Sequence, residues 1–155
     1  MKLIIACDPN GGIGYQNRLP WTNIQGDLPR FKRLTHNKTI VMGRNTWDSL
    51  PKKPLPDRFH IVITSQDMDC LAGVVIKSMD DFLSTTGFDL ENNWIIGGAR
   101  LIETSWSLID EVHLTRVYDQ YTCDTFIDLI YLEANFKRTY SEMFPDHMYE
   151  IWKRK

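Results

Sequence analysis

Five short apolar runs punctuate the first two thirds of the chain, at residues 3–7, 39–42, 61–63, 74–76 and 94–96. They are continuous rather than alternating and partly β-branched, the pattern of strands covered on both faces, as in a parallel sheet. Helical patterns lie between them. Residues 46–50 are cut off by Pro51. Ser78-Met79-Asp80-Asp81-Phe82 opens with a capping-box pattern and predicts a helix closing at Gly87, and residues 101–109 place Ile102, Trp106 and Ile109 on one face. Alternating strand and helix predicts an α/β fold. The last third changes character: 112–118, 136–141 and 148–153 read as longer strands, the last two separated by a loop at Phe144-Pro145-Asp146-His147. That is an antiparallel return onto the sheet edge. With no repeat, low-complexity tract or linker, residues 1–155 are expected to form one domain.

One predicted helix carries an oddity. In "NIQGDLPRFKRL", residues 23–34, Asp27 shares the i, i+4, i+7 stripe with Phe31 and Leu34, while Arg30 and Arg33 lie elsewhere on the helix. Pro29 fixes the register, because proline is tolerated in the first turn, where its missing N–H would have had no partner. Asp27 is either an N-cap or first-turn charge facing the helix dipole, or an acid held on the inner face for chemistry.

Composition narrows the function. The chain has 155 residues, 43% apolar and 25% charged, enough for one well-buried core. A net charge of −2 and a pI near 6.1 leave no basic stripe to neutralise a phosphate backbone, so nucleic acid is not an expected partner and small molecules are. "MKLIIAC" is too short for a signal-peptide core or a membrane span and reads as a strand. Cys7, Cys70 and Cys123, like the histidines at 36, 60, 113 and 147, are scattered. Neither a disulfide framework nor a metal site follows, and reduced thiols in the cytoplasm are expected.

In an open parallel sheet, ligands sit beyond the carboxyl ends of the strands. Three strand ends look alike there: Gly43-Arg44-Asn45-Thr46, Thr64-Ser65-Gln66 and Gly97-Gly98-Ala99-Arg100. Glycine lets backbone approach a phosphate, free N–H groups at a helix start point toward it, and arginine or hydroxyls complete a cradle for a dinucleotide. Lys77 adds charge nearby, and no carboxylate interrupts the set Arg44, Thr64, Ser65 and Gln66, which favours a dinucleotide bearing a 2′-phosphate. The fingerprint G-x-G-x-x-G is absent, since "GGIG" at 11–14 has the wrong spacing, and no Walker A motif exists.

These segments occur in a recognisable series. "IGYQNRLPW", "GDLPRFKRLT", "IVMGRNTWDSL", "PLPDR", "IVITSQ", "WIIGGARLIE" and "VHLTRV" followed by "CDTFID" together resemble the dihydrofolate reductases of chromosomal type, in order and over essentially the whole chain. The resemblance implies a single domain with a mixed, mostly parallel sheet of about eight strands, an antiparallel C-terminal hairpin and about four helices. It implies reduction of 7,8-dihydrofolate to tetrahydrofolate by NADPH, in support of one-carbon metabolism and thymidylate synthesis, by a monomer that antifolates would inhibit.

Carried over position by position, Asp27 matches the acid that binds the pterin amide and 2-amino group, with Thr115 close by through water and Trp21 beside it. Ile5, Ala6, Leu28, Phe31, Lys32, Leu50 and Leu55 match the slot for the pterin and the aminobenzoyl ring. Arg58 resembles the clamp on the glutamate α-carboxylate, where a planar fork suits a carboxylate. Ala6, Ile13, Gly14, Gly43, Arg44, Asn45, Thr46, Thr64, Ser65, Gln66, Lys77, Ile96, Gly97, Gly98, Ala99, Arg100, Leu101 and Ile102 match the cofactor site, with Ala6, Ile13 and Ile96 near the nicotinamide and a cis bond between Gly97 and Gly98. Three departures stand out. Ile102 replaces an aromatic, Ala99 replaces a third glycine of some members, and the step from Trp21 to Asp27 is one residue longer than in many bacterial members.

Hydride transfer leaves the pterin N5 in need of a proton. No second acid accompanies Asp27 in these motifs, so water is the expected donor. The glycine-rich loop "DPNGGIGYQNRLPW" is either a mobile lid that excludes water during transfer or a plain flexible loop. Two other readings compete: a sibling NADPH-dependent reductase of a riboflavin-pathway aminopyrimidine, and a non-catalytic nucleotide-binding module. The first has no reason to keep Asp27 and Arg58 in these contexts, and the second none to keep both together with Trp21.

Overall fold

Ile40, Val41 and Met42 are fully buried in succession, yet they join different clusters. Val41 packs with Leu3, Ile61, Ile95, Val112 and Leu114, whereas Ile40 and Met42 pack with Trp47, Val62 and Trp94. Successive strand residues point to opposite faces, so a continuous apolar run means a sheet with a core on each side. Each fully buried Leu, Ile or Val contributes about 1.5–3 kcal/mol relative to exposure.

The computed structural model describes residues 1–68, 73–85 and 90–155. Among them the order is β1 (Lys2–Cys7), β2 (Gly12–Gly14), α1 (Asp27–Thr35), β3 (Thr39–Gly43), α2 (Arg44–Ser49), β4 (Phe59–Ile63), β5 (Gly73–Ile76), α3 (Met79–Ser84), β6 (Asn93–Gly97), α4 (Ala99–Ser105), β7 (Glu111–Val117), β8 (Thr125–Phe126), α5 (Leu129–Asn135), β9 (Phe136–Met143) and β10 (His147–Arg154). The main sheet runs β5-β4-β3-β6-β1-β7-β10-β9. Its first six strands are parallel, and β10 is antiparallel to both β7 and β9. This is the mixed, mostly parallel sheet with the antiparallel hairpin that was expected.

Five α-helices stand among the described residues where about four were expected. The additional one, α5, is a seven-residue helix whose N-cap, Asp128, accepts from the Tyr131 N–H, and Leu132 anchors it in the core. α3 is capped by Ser78, which accepts from the Asp81 N–H, and ends at Ser84. The predicted stop at Gly87, like Cys70, lies outside the described residues. α4 continues into a 3₁₀ turn, Trp106–Leu108, and Ile102, Trp106 and Ile109 are buried as the periodicity requires.

β1 lies between β6 and β7, while β3, β4 and β5 build outward on the far side of β6. The chain therefore reverses its direction of winding around β6. Such a reversal opens a crevice at the strand carboxyl ends, here at Cys7, Gly43 and Gly97.

Candidate active site

Asp27 owes its position to the entry of α1. Gly26 adopts a left-handed backbone, φ 85°, which favours glycine, and caps the helix without a side-chain bond. The Asp27 side chain is therefore free to turn toward the sheet, where Thr115 of β7 donates to its Oδ1 at 2.6 Å. Ala6, Thr115 and Tyr149 are register partners across β1, β7 and β10, so all three face the same side. The Asp27 side chain keeps 28% of its exposure. Its Oδ2 has no hydrogen-bond partner among the described residues.

Sequence reasoning missed Arg30. One turn after Asp27, it was expected to lie away from the inner face, but the C-terminal hairpin covers it and its side chain is 7% exposed. Its Nη1 donates to Thr115 Oγ1 at 3.4 Å and lies 3.9 Å from Asp27 Oδ1. Nη2 is 3.1 Å from His147 Nε2, and the guanidinium lies over Tyr149 and Phe144 at 4.2 and 4.9 Å. His147, fully buried, bonds through Nδ1 to Asp146 Oδ1 at 2.7 Å, and Asp146 also accepts from the Gln25 N–H. Those two bonds hold the Asp146 carboxyl below its ordinary value. No periodicity in α1 could reveal a cover that comes from residues 117 positions away.

The other expected ring-binding residues divide by exposure. Leu28 is 60% exposed on the outer rim, whereas Leu50 and Leu55 pack, half-buried, against the cluster around Met42 and Trp47. Phe31 is half-buried, and Arg58 stands 5.7 Å from its ring. Arg58 donates to Thr35 Oγ1, Pro56 O and Lys32 O, which hold the fork at the far end of α1 from Asp27. Burial lowers the Arg58 guanidinium from its ordinary value, though arginine remains charged. Trp21 is buried and meets Tyr121 edge-on at 5.5 Å. Ile5 is half-buried against the core beside Ala6.

On the opposite side of the crevice, glycines expose the backbone. A Cβ on Gly97 would come within 3.2 Å of Thr46 Oγ1, one on Gly98 within 3.5 Å, and one on Gly43 within 3.8 Å of the Gly98 nitrogen. Gly97 has φ 133°, which a side chain would strain, and the Gly97–Gly98 bond is cis, as the resemblance implied. The surface is thus built from backbone and one hydroxyl, which fits the pyrophosphate of a dinucleotide. Asn45, Ser65 and Arg100 are exposed around it, with Thr64, Ile96, Ala99 and Gly14 half-buried. Ile13, Leu101 and Ile102 turn into the core.

The basic residues expected here have carboxylate partners from outside the set Arg44, Thr64, Ser65 and Gln66. Arg44 Nε lies 3.3 and 3.2 Å from the two Asp48 oxygens and Nη1 donates to Gln66 Oε1, while Lys77 donates to Asp67 at 2.6 Å. The Lys77 bond holds the Asp67 carboxyl below its ordinary value. Both pairs are surface pairs, and they keep the cations near the rim of the cradle.

The glycine-rich loop is tied at its base. Buried Asp8 accepts from the Asn10, Gly12 and Tyr121 N–H groups. β2 pairs with β8, and a side chain on Gly12 would collide with Cys123 Sγ. Among the described residues no group of His, Cys, Asp and Glu side chains is arranged to hold a metal ion, and no helix is long and apolar enough to cross a membrane.

Comparison with known proteins matches this geometry to a family. The family model described as Dihydrofolate reductase matches residues 1–151. Dihydrofolate reductase type 8 of Escherichia coli is 32% identical, with 100% of this chain and 96% of that one covered. Dihydrofolate reductase of Staphylococcus aureus is 31% identical over 98% and 82%. A bifunctional dihydrofolate reductase-thymidylate synthase of Paramecium tetraurelia is 36% identical over 82% of this chain, which spans only 28% of that longer protein. Among solved structures, dihydrofolate reductase from Enterococcus faecalis complexed with NADP(H) and RAB-propyl superposes with a TM-score of 0.84 at 27% identity, covering 99% of this chain and 95% of that one. With the acid, the glycine cradle and the sheet order all in place, the chain belongs to the dihydrofolate reductase family.

Proposed function

We propose that this protein reduces 7,8-dihydrofolate to 5,6,7,8-tetrahydrofolate with NADPH, and that Asp27 is the acid that orients the pterin. The observation that carries this reading is the Asp27 carboxylate, fixed through Oδ1 by Thr115 and open at Oδ2 beside the strand carboxyl ends. An ionised carboxylate accepts only, so it suits a ring edge that presents an amide N–H and an amino group. NADPH, when bound, supplies the hydride. Gly43, Thr46, Gly97 and Gly98 would hold its pyrophosphate, and Arg44, Thr64, Ser65 and Gln66 would face its 2′-phosphate. Ala6 would lie against the ring. Arg58 takes the substrate's glutamate carboxylate, and Leu50, Leu55 and Phe31 exclude water from the slot. With Asp27 the acid of the pocket, the proton for N5 comes from water.

The base of the loop stays latched by Asp8 while residues 15–20 close over the slot. The exposed edge strand β9 carries Lys137, Arg138 and Glu142, charges that oppose pairing with a second sheet and support a monomer. Free Cys7 and Cys123 support a reducing compartment, the cytoplasm. One domain carries the whole activity. The sibling reductase and the non-catalytic module find no support among the relatives, which are dihydrofolate reductases.

Mixing the protein with NADPH and 7,8-dihydrofolate tests the reading directly. The absorbance of reduced nicotinamide falls, and NADH supports a slower reaction. No fall with dihydrofolate would overturn it.

A further inference from the structure

A buried cation beside a ring-binding acid is not required for that acid to grip a neutral ring, so Arg30 calls for its own account. An arginine only donates hydrogen bonds, and a histidine nitrogen 3.1 Å from Nη2 must therefore present its lone pair. The proton of His147 then sits on Nδ1 and is donated to Asp146 Oδ1. Phe144 stacks flat on the His147 ring at 4.6 Å, and the guanidinium lies over both the Phe144 and the Tyr149 rings. Rings and histidine together hold the guanidinium fork in one place. Its positive charge cannot swing out to solvent, and it stays 3.9 Å from Asp27 Oδ1 with Thr115 bridging the two.

We propose that Arg30 is a positioning and specificity-determining residue, which fixes the Asp27 carboxylate from behind and biases the pocket toward rings with a neutral hydrogen-bonding edge over rings that bind as cations. The proposal rests on the reading of Asp27 as the ring-binding acid. A ring seated on Asp27 Oδ2 meets an acid whose charge is already matched by the guanidinium. A neutral amide and amino edge needs only the acceptor lone pairs, which remain. A basic 2,4-diaminopyrimidine binds a carboxylate as its protonated cation, and it meets the repulsion of a second fixed cation across a site where water screens poorly. The chemical class disfavoured is thus the protonated diaminopyrimidine, and the class favoured is the 2-amino-4-oxo pterin.

Two variants and one wild-type measurement test this. Dissociation constants for 7,8-dihydrofolate and for 2,4-diamino-5-benzylpyrimidine are measured by calorimetry at one pH and ionic strength. Arg30→Met, which keeps the apolar stem, should shift the ratio of the two constants about tenfold in favour of the diaminopyrimidine, or about 1.4 kcal/mol. Arg30→Lys, which keeps the charge, should restore the wild-type ratio. Equal weakening of both ligands in Arg30→Met would overturn the proposal, because a merely structural arginine moves both alike. Independently of how either variant folds, ¹⁵N NMR of the wild-type protein should show His147 protonated on Nδ1 with Nε2 accepting. A proton on Nε2 without one on Nδ1 would overturn the anchoring of Arg30. Failure of the wild-type protein to bind dihydrofolate at all would instead overturn the reading of the pocket, a result distinct from a ratio that does not move.

Discussion

The two sides of the crevice handle charge in opposite ways. Beside α1 the polar groups are interlocked: half-buried Asp27 and buried Arg30 share Thr115, and Arg30 also meets the neutral ring of buried His147, which bonds Asp146. At the cradle the charges lie in solvent, as pairs Arg44–Asp48 and Lys77–Asp67 that water screens. Removing one partner of a buried group leaves the other unsatisfied in a poorly screened place, whereas an exposed partner is replaced by water. The first side is therefore fixed before any ligand arrives. The second keeps its cations in exposed pairs whose partners water can replace.

That contrast breaks most visibly at Asp27. Asp27→Asn should lower turnover by about two to four orders of magnitude at neutral pH, because the amide is nearly isosteric but offers one acceptor oxygen and no charge. The fold should survive, since Gly26 and not Asp27 enters the helix. Steady-state rates and a thermal melt on the same sample decide the matter, and a variant as fast as wild type would make Asp27 a mere dipole charge.

A buried pair away from the site offers the next largest effect. Glu150 is fully buried and accepts from Arg116 Nε at 2.7 Å and from Trp152 Nε1 at 2.9 Å. Arg116→Met should cost about 2–4 kcal/mol in urea unfolding, because a carboxylate loses its main counter-charge in the core. Loss of less than the usual value of a surface pair would remove the distinction drawn above.

Arg58→Leu comes third. The KM for dihydrofolate should rise by the equivalent of about 1–3 kcal/mol with little change in kcat, and a pterin without the glutamate tail should be unaffected. Equal losses for both substrates would assign Arg58 to holding the end of α1 through Thr35.

Burial also sets the response to acid. It lowers His60 and His113 from the ordinary value of 6.5, since neutral rings are favoured inside the protein. As pH falls through 6.5 the unfolded chain takes up these protons before the folded one does, so stability should decline below pH 6.5 and be fully present above it. Asp146 acts lower, below 3.8, and does not mask that window. His60→Gln, whose amide oxygen can still accept the Leu55 N–H, should flatten the decline between pH 6.5 and 5 in a series of melts. An unchanged slope would show that His60 contributes nothing to it.

The smallest effects belong to the cradle. Arg44→Ala should weaken NADPH binding by about 1 kcal/mol more than NADH binding and flatten the salt dependence of that difference. Asp48→Ala should alter stability by under about 0.5 kcal/mol, and it should tighten NADPH if Asp48 competes for Arg44. Equal losses for the two cofactors in Arg44→Ala would show that this arginine does not read the 2′-phosphate.

The features legible in sequence are those whose cause is local or periodic. The apolar runs predicted the strands to within about two residues, and the glycines at 43, 97 and 98 marked the crevice before the fold was known. The Arg44–Asp48 pair is written in its i, i+4 spacing. What escaped depends on partners distant in the chain or on elements too short to carry a pattern. Arg30 looks solvated until the β9–β10 turn folds over it, and β2 and β8 are only three and two residues long. α5 did leave a signal, Asp128 at the cap position before Leu129 and Leu132, but seven residues are too few to show a full apolar face.

The place of β1 in the middle of the sheet sets a timetable for synthesis. Its apolar segment is made well before its two neighbours, β6 at Asn93–Gly97 and β7 at Glu111–Val117. A nascent chain cannot complete the central three strands until Val117 has left the ribosome exit tunnel. At about 5–20 residues per second, Leu3, Ile4 and Ile5 wait for several seconds without their sheet partners. During that interval their apolar side chains stay uncovered by the sheet, and slowing translation just before β7 should lengthen it.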